Sequence, residues 1–142
     1  MARQATAEWK GDLKGGSGHV KAGSGGFEGS YSFTTRFENG AGTNPEELLG
    51  AAHAGCYSMA LANSLATAGF PATSVLSKAD VNLGKDDIGF KITDITLTVT
   101  ATVPKVDDKT FQEHVAKINK ACIIQRALGA VPQITVNATL KS

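Results

Sequence analysis

Two cysteines, Cys56 and Cys122, are the residues of this chain whose type suits covalent chemistry. A thiolate is the strongest nucleophile among ordinary side chains near neutral pH, and two thiols that meet in a fold can cycle between dithiol and disulfide. They stand too far apart for a CxxC redox or zinc motif, so any meeting must be made by the fold. His19, His53 and His114 are scattered, with no HxxxH spacing and no Cys/His cluster, which predicts no metal. His53 lies three residues before Cys56 and, on a helix, would share its surface. The plain alternative stays open: cysteine is among the most buried residue types, and both thiols, like His53, would then be inert core residues.

The element that must carry Cys56 is written from Thr43 to Gly69. Asn44 is a suitable N-cap, Pro45 suits the first helical position, and Glu47 three residues on completes a capping box. Gly69 and Pro71 stop the run. Such a helix is about 36 Å long. Its only formal charges, Glu46 and Glu47, lie in the first turn where the macrodipole favours them. Beyond them, small and apolar residues go round all sides, the pattern of a helix enclosed by protein. A membrane span is the rival, but Asn44, His53, Ser58, Asn63, Ser64 and Thr67 are too polar for it and no basic flank orients it.

Cys56 lies about 16 Å from the start of that helix, beyond the reach of the dipole, and burial among Ala and Leu disfavours a thiolate. A cation must be brought to it. Arg36, permanently charged and just upstream of the helix, is the best candidate, and Glu46 can hold it as a bidentate partner. The alternative is that both are surface charges. Glu46 and Cys56 are about 15 Å apart along one continuous helix, so a shared site would need Glu46 from a partner chain.

The remaining elements follow from local pattern. Most of the 16 glycines fall before residue 43, between short β-prone runs at Thr6–Lys10, His19–Ala22 and Phe27–Phe37, which read as an antiparallel meander. In the third run Tyr31, Phe33 and Thr35 alternate with Ser32, Thr34 and Arg36. No GxGxxG opens a helix and no P-loop is present, so the glycines are turns and no cofactor is expected. Val75–Leu83 and Phe90–Val103 form a hairpin, with a bulge near Thr93–Asp94 where the apolar phase slips. Asp107 or Asp108 caps a second helix to about Leu128, stopped by Gly129, with Phe111, Val115, Ile118 and Cys122 on its inner stripe. Ile134, Val136, Ala138 and Leu140 mark a last half-buried strand. Strands and helices in separate runs predict an α+β fold with antiparallel sheets, in one domain covering residues 1–142.

Fourteen basic and 13 acidic side chains leave a net charge of +1 without a basic run, which excludes an electrostatic nucleic-acid footprint. A neutral small molecule or another protein is the expected partner. Met1–Lys10 lacks an apolar signal core, so a cytoplasmic location is expected and the cysteines would rest reduced. One chain of this size can hardly wrap so long a helix, and an obligate homodimer follows as an expectation.

The strings Thr35-Arg36-Phe37-Glu38, Gly42-Thr43-Asn44-Pro45-Glu46-Glu47-Leu48 and Ala51-Ala52-His53-Ala54-Gly55-Cys56, with a second cysteine on a late helix, resemble the OsmC/Ohr family of osmotically inducible and organic hydroperoxide resistance proteins. The similarity runs from Trp9 to the end, and the position of Arg36 suits the OsmC branch. The resemblance implies antiparallel sheets packed around two central helices in an intertwined homodimer, and a thiol-dependent peroxidase. It implies Cys56 as peroxidatic thiol, Cys122 as resolving thiol through a Cys56–Cys122 disulfide, and Arg36 with Glu46 as the activating pair. It also implies an organic hydroperoxide as substrate and a dithiol as reductant, a lipoyl protein being one source. The chain departs from the family in Ala121-Cys122-Ile123-Ile124-Gln125, where Cys-Pro is usual. Losing that proline is expected to remove a helix perturbation, and the bulky Ile123 to alter the approach of Cys122 to Cys56. The rival functions are a dimer of the same fold that binds a small apolar ligand with little turnover, and a structural stress-response dimer with inert cysteines.

Overall fold

Asn44 accepts a hydrogen bond from the Glu47 amide at 2.8 Å, and from that cap a helix runs over Pro45–Thr67. It ends where Gly69 takes a φ of +89, a backbone region that costs an L side chain strain. The protein, a computed structural model describing residues 1–141, orders its elements as β1 (Ala5–Lys10), β2 (Ser17–Ala22), β3 (Glu28–Tyr31), α1 (Phe33–Phe37), α2 (Pro45–Thr67), β4 (Ser74–Lys85), β5 (Phe90–Thr102), α3 (Asp108–Ala121), α4 (Ile123–Ala127) and β6 (Gln133–Lys141). The described residues form two compact units, Met1–Leu48 and the remainder from Leu49.

In the first unit β1, β2 and β3 make the expected antiparallel meander. The strand expected over Phe27–Phe37 stops at Tyr31, however, and Arg36 lies on α1. Ser32 overrides the alternating pattern. Its hydroxyl accepts from the Thr35 amide at 3.3 Å while the Thr35 hydroxyl accepts from the Ser32 amide at 2.9 Å, a reciprocal cap that starts a helical turn.

In the second unit β4 and β5 pair antiparallel, and the expected bulge is present: Asn82 faces Asp94 and Leu83 faces Ile92, leaving Thr93 as the extra residue. The sheet departs from the all-antiparallel expectation because β6 joins β5 parallel. A parallel return needs a crossover, and α3 with α4 provides it. Leu97, Val99 and Ala101 of β5 meet Tyr57, Leu61 and Leu65 of α2 and Phe111, Val115 and Ile118 of α3 in one buried core. Each large apolar side chain so enclosed is worth roughly 1.5–3 kcal/mol. Gly50 lets α2 approach β4: a Cβ there would stand 3.3 Å from Val81 Cγ2 and 3.4 Å from Ala79 Cβ.

One expectation about the helices is corrected. The helix expected from Asp107 to Leu128 is capped by Asp107 as read, with the Thr110 amide at 2.9 Å, but it is interrupted at Cys122, and Gly129 is not the left-handed stop. As expected of so long a helix, α2 is not enclosed on all sides by its own chain. It buries one stripe, Gly50, His53, Tyr57, Leu61 and Leu65, and leaves Ala51, Ala52, Gly55 and Met59 exposed, Met59 at 77%. Among the described residues no helix is long and apolar enough to cross a membrane.

Candidate active site

The structure brings the sequence-selected residues together as two pairs, one in each unit. In the second unit the Cys122 thiol donates to the Cys56 sulfur, with the sulfurs 3.4 Å apart and no disulfide formed. The two differ in access. Cys56, midway along α2, is half-buried, whereas Cys122, the C-cap of α3, is 1% exposed. Burial pushes the Cys122 thiol above its ordinary range, and the hydrogen bond and charge interaction with Cys56 push the same way; the backbone N–H groups of Gln125 and Ile124 oppose them. The inner sulfur is therefore a protonated donor and the outer one its acceptor.

Cys122 takes φ −57 and ψ 120, which ends α3 at Ala121 and starts α4 at Ile123. The expectation that the chain would lose its helix perturbation without proline is overturned: the break stands with isoleucine at 123. The Ile123 side chain, 73% exposed, does not crowd the thiols.

Beneath the sulfurs lies a polar network that the sequence reading missed. Tyr57, wholly buried, donates to Asn119 Oδ1 at 2.7 Å. Its phenol is held well above the ordinary range by burial first and, once Cys122 ionises, by that charge second. The Gln125 amide donates through Nε2 to the Asn119 carbonyl at 3.0 Å, so its Oε1 faces His53 Nε2 at 3.1 Å. That arrangement puts the His53 proton on Nε2. Nδ1 is buried without a partner, and burial lowers the His53 pKa against the opposing Gln125 bond. His53 is thus a core histidine in contact with Gln125, and the reading of it as a partner of Cys56 has no bond to support it. No periodicity could have announced Asn119 and Gln125, because both are ordinary polar residues on a helix.

In the first unit Arg36 and Glu46 form the fork that the sequence reading expected. Arg36 Nη2 donates to Glu46 Oε1 at 2.7 Å, and Nε stands 3.2 Å from both carboxylate oxygens. The carboxylate is 12% exposed and the guanidinium side chain 40%, so the anion is enclosed while the cation keeps an open side. That side belongs to a hollow of about 300 Å³ lined by Trp9, Leu13, Tyr31, Phe33 and Phe37 beside Arg36. Among the described residues no His/Cys/Asp/Glu group is arranged to hold a metal ion.

An α+β chain with one accessible and one buried thiol in direct contact is built as a dithiol redox protein. The family model described as OsmC-like protein matches residues 38–137. Peroxiredoxin OsmC of Escherichia coli strain K12 is 46% identical over 141 residues, spanning 99% of this chain and 97% of its own. Among solved structures, the organic hydroperoxide resistance protein OhrB of Bacillus subtilis shares the fold with a TM-score of 0.68 at 24% identity, covering 97% of this chain and 98% of its own. An OsmC-like protein of unknown function from Vibrio cholerae shares it with a TM-score of 0.79 at 15% identity, covering 98% and 99%. The chain belongs to the OsmC-like family, and it is a cysteine-based peroxidase.

Proposed function

We propose that the protein reduces organic hydroperoxides to alcohols, with Cys56 as the attacking sulfur and Cys122 as the resolving one. The observation that carries this reading is the 3.4 Å contact between a half-buried and a buried thiol, because a peroxide from solvent meets Cys56 first. The Cys56 thiolate attacks the outer peroxide oxygen, the O–O bond breaks, and the alkoxide leaves and takes up a proton. The sulfur is left as a sulfenic acid. Cys122 then attacks that sulfur; an S–S bond forms, and the hydroxyl leaves as water with the Cys122 proton. A dithiol, of which a lipoyl protein is one source, restores both thiols by two exchanges and departs as its own disulfide.

Arg36 and Glu46 are proposed as the activating pair, the guanidinium favouring the Cys56 thiolate and orienting the peroxide. The aromatic hollow beside Arg36 supports an alkyl or aryl peroxide over hydrogen peroxide. The working unit is proposed as a homodimer with two sites. Two features support it: the exposed small-residue face of α2, and the continuity of that helix, which keeps Glu46 and Cys56 of one chain about 15 Å apart along its axis. Each Cys56 would then be served by Arg36 and Glu46 of the other copy.

Stopped-flow reaction with cumene hydroperoxide, tert-butyl hydroperoxide and hydrogen peroxide, followed by mass spectrometry, tests the mechanism. Wild type gains one Cys56–Cys122 disulfide, Cys122→Ser stops at an oxidised Cys56, and Cys56→Ser is inert. Peroxide consumption by Cys56→Ser at the wild-type rate overturns the proposal, and a monomer at low micromolar concentration in light scattering overturns the dimer.

A further inference from the structure

In an unbroken helix the Asn119 carbonyl would accept from the amide of Ile123. At Cys122 the ψ of 120 carries that amide off the ladder, against the usual helical value of about −42. The carbonyl accepts from the Gln125 side chain instead, at 3.0 Å. This fixes the amide, and its oxygen accepts from His53 Nε2 at 3.1 Å. His53 is wholly buried on α2, one turn before Cys56. A single amide therefore joins the helix that carries Cys56 to the break that carries Cys122. The backbone N–H of the same residue faces the Cys122 sulfur. The sequence around the break, Asn119-Lys120-Ala121-Cys122-Ile123-Ile124, contains no proline or glycine to impose it.

We infer that Gln125, anchored by His53, is a positioning residue that holds the chain open at Cys122 and so sets the resolving sulfur against Cys56. The inference deepens the functional reading given above and rests on it. Without the amide, the Asn119 carbonyl regains a backbone partner only if the helix closes through Cys122. Closing changes ψ there by about 160° and swings the segment after Cys122, with the N–H groups that face its sulfur, onto the helical path. Gln125 touches neither peroxide nor reacting sulfur through its side chain, so its effect falls on the second step of the reaction and not the first.

The test separates those steps in single turnovers with one equivalent of cumene hydroperoxide. Loss of the Cys56 thiol reports the first step, and mass spectrometry with and without dimedone reports sulfenic acid against disulfide. Gln125→Ala is expected to keep the first step and to slow disulfide formation about 10- to 100-fold, with dimedone-labelled Cys56 accumulating. A proline at 123 cannot close the ladder, and the preceding residue already has the extended backbone that a proline requires. The double variant Ile123→Pro with Gln125→Ala is therefore expected to regain the wild-type rate of disulfide formation, a rescue that repair of general stability would not give. It also carries the test if Gln125→Ala alone does not fold, circular dichroism serving as the check. Wild-type disulfide kinetics in Gln125→Ala, or a folded double variant that stays slow, overturns the inference alone. A wild-type protein that forms no Cys56–Cys122 disulfide overturns the functional reading and the inference with it.

Discussion

Every buried hydrophobic side chain named for the core, from Tyr57 to Cys122, belongs to the unit that begins at Leu49, whereas Met1–Leu48 buries Thr35 and Gly18 and no large apolar side chain among the described residues. The thiols are thus placed by packing: Cys122 is itself a core residue, and Cys56 packs against that core. The guanidinium, on the short helix α1, is placed by directional bonds to one carboxylate in the first turn of α2. Packing is cooperative and tolerates little loss of volume, while a charge fork contributes modest stability and strong local direction. Substitutions in the second unit should therefore appear first as lost stability, and those at the fork as lost rate.

The largest effect expected of this contrast is in the core. Phe111→Ala should destabilise the protein by about 3–5 kcal/mol, since the ring is fully enclosed between helix and sheet. Urea unfolding followed by circular dichroism checks it. A loss below about 1 kcal/mol would mean that the thiols are held by something other than this core.

At the fork, Arg36→Ala should lower the second-order rate with cumene hydroperoxide about 100-fold, at a cost in stability of about 1 kcal/mol or less. Stopped-flow kinetics and a urea midpoint on the same sample provide both numbers. If the variant unfolds while its surviving fraction reacts at the wild-type rate, the contrast between a packed unit and a charge-directed one is broken.

How far each region could be read beforehand follows the same division. The cap at Asn44, the stop at Gly69, the bulge at Thr93 and the stripe Phe111–Val115–Ile118–Cys122 were legible because each is a local pattern with one physical meaning. Ser32 was missed because a capping turn of five residues lies inside an alternation that also fits a strand. The parallel pairing of β6 was missed because strand direction depends on the route of the intervening chain. The break at Cys122 was illegible for a stricter reason: it is held by Gln125 and His53, far apart in sequence, and no proline or glycine marks it. Arg36 and Glu46 are picked out by a chemical need, a cation for a buried sulfur and an anion for the cation; of that reading the structure shows the fork between the two.

The finest probe of the packed unit is His53, enclosed with Nδ1 unpartnered and its pKa lowered chiefly by burial. The unfolded chain binds a proton at the ordinary histidine value of 6.5 while the folded chain still resists it. Over that interval the unfolded state holds more protons, so stability rises with pH. The contribution is complete above 6.5 and is lost as pH falls from there through the lowered folded value. His53→Gln keeps an amide that can donate to Gln125 but cannot titrate, and it should flatten the urea midpoint between pH 7 and pH 5 relative to wild type. An identical pH slope in the two proteins would mean that the buried ring takes its proton as readily as an exposed one. The enclosure that distinguishes the thiol-bearing unit would then not extend to the turn of α2 before Cys56.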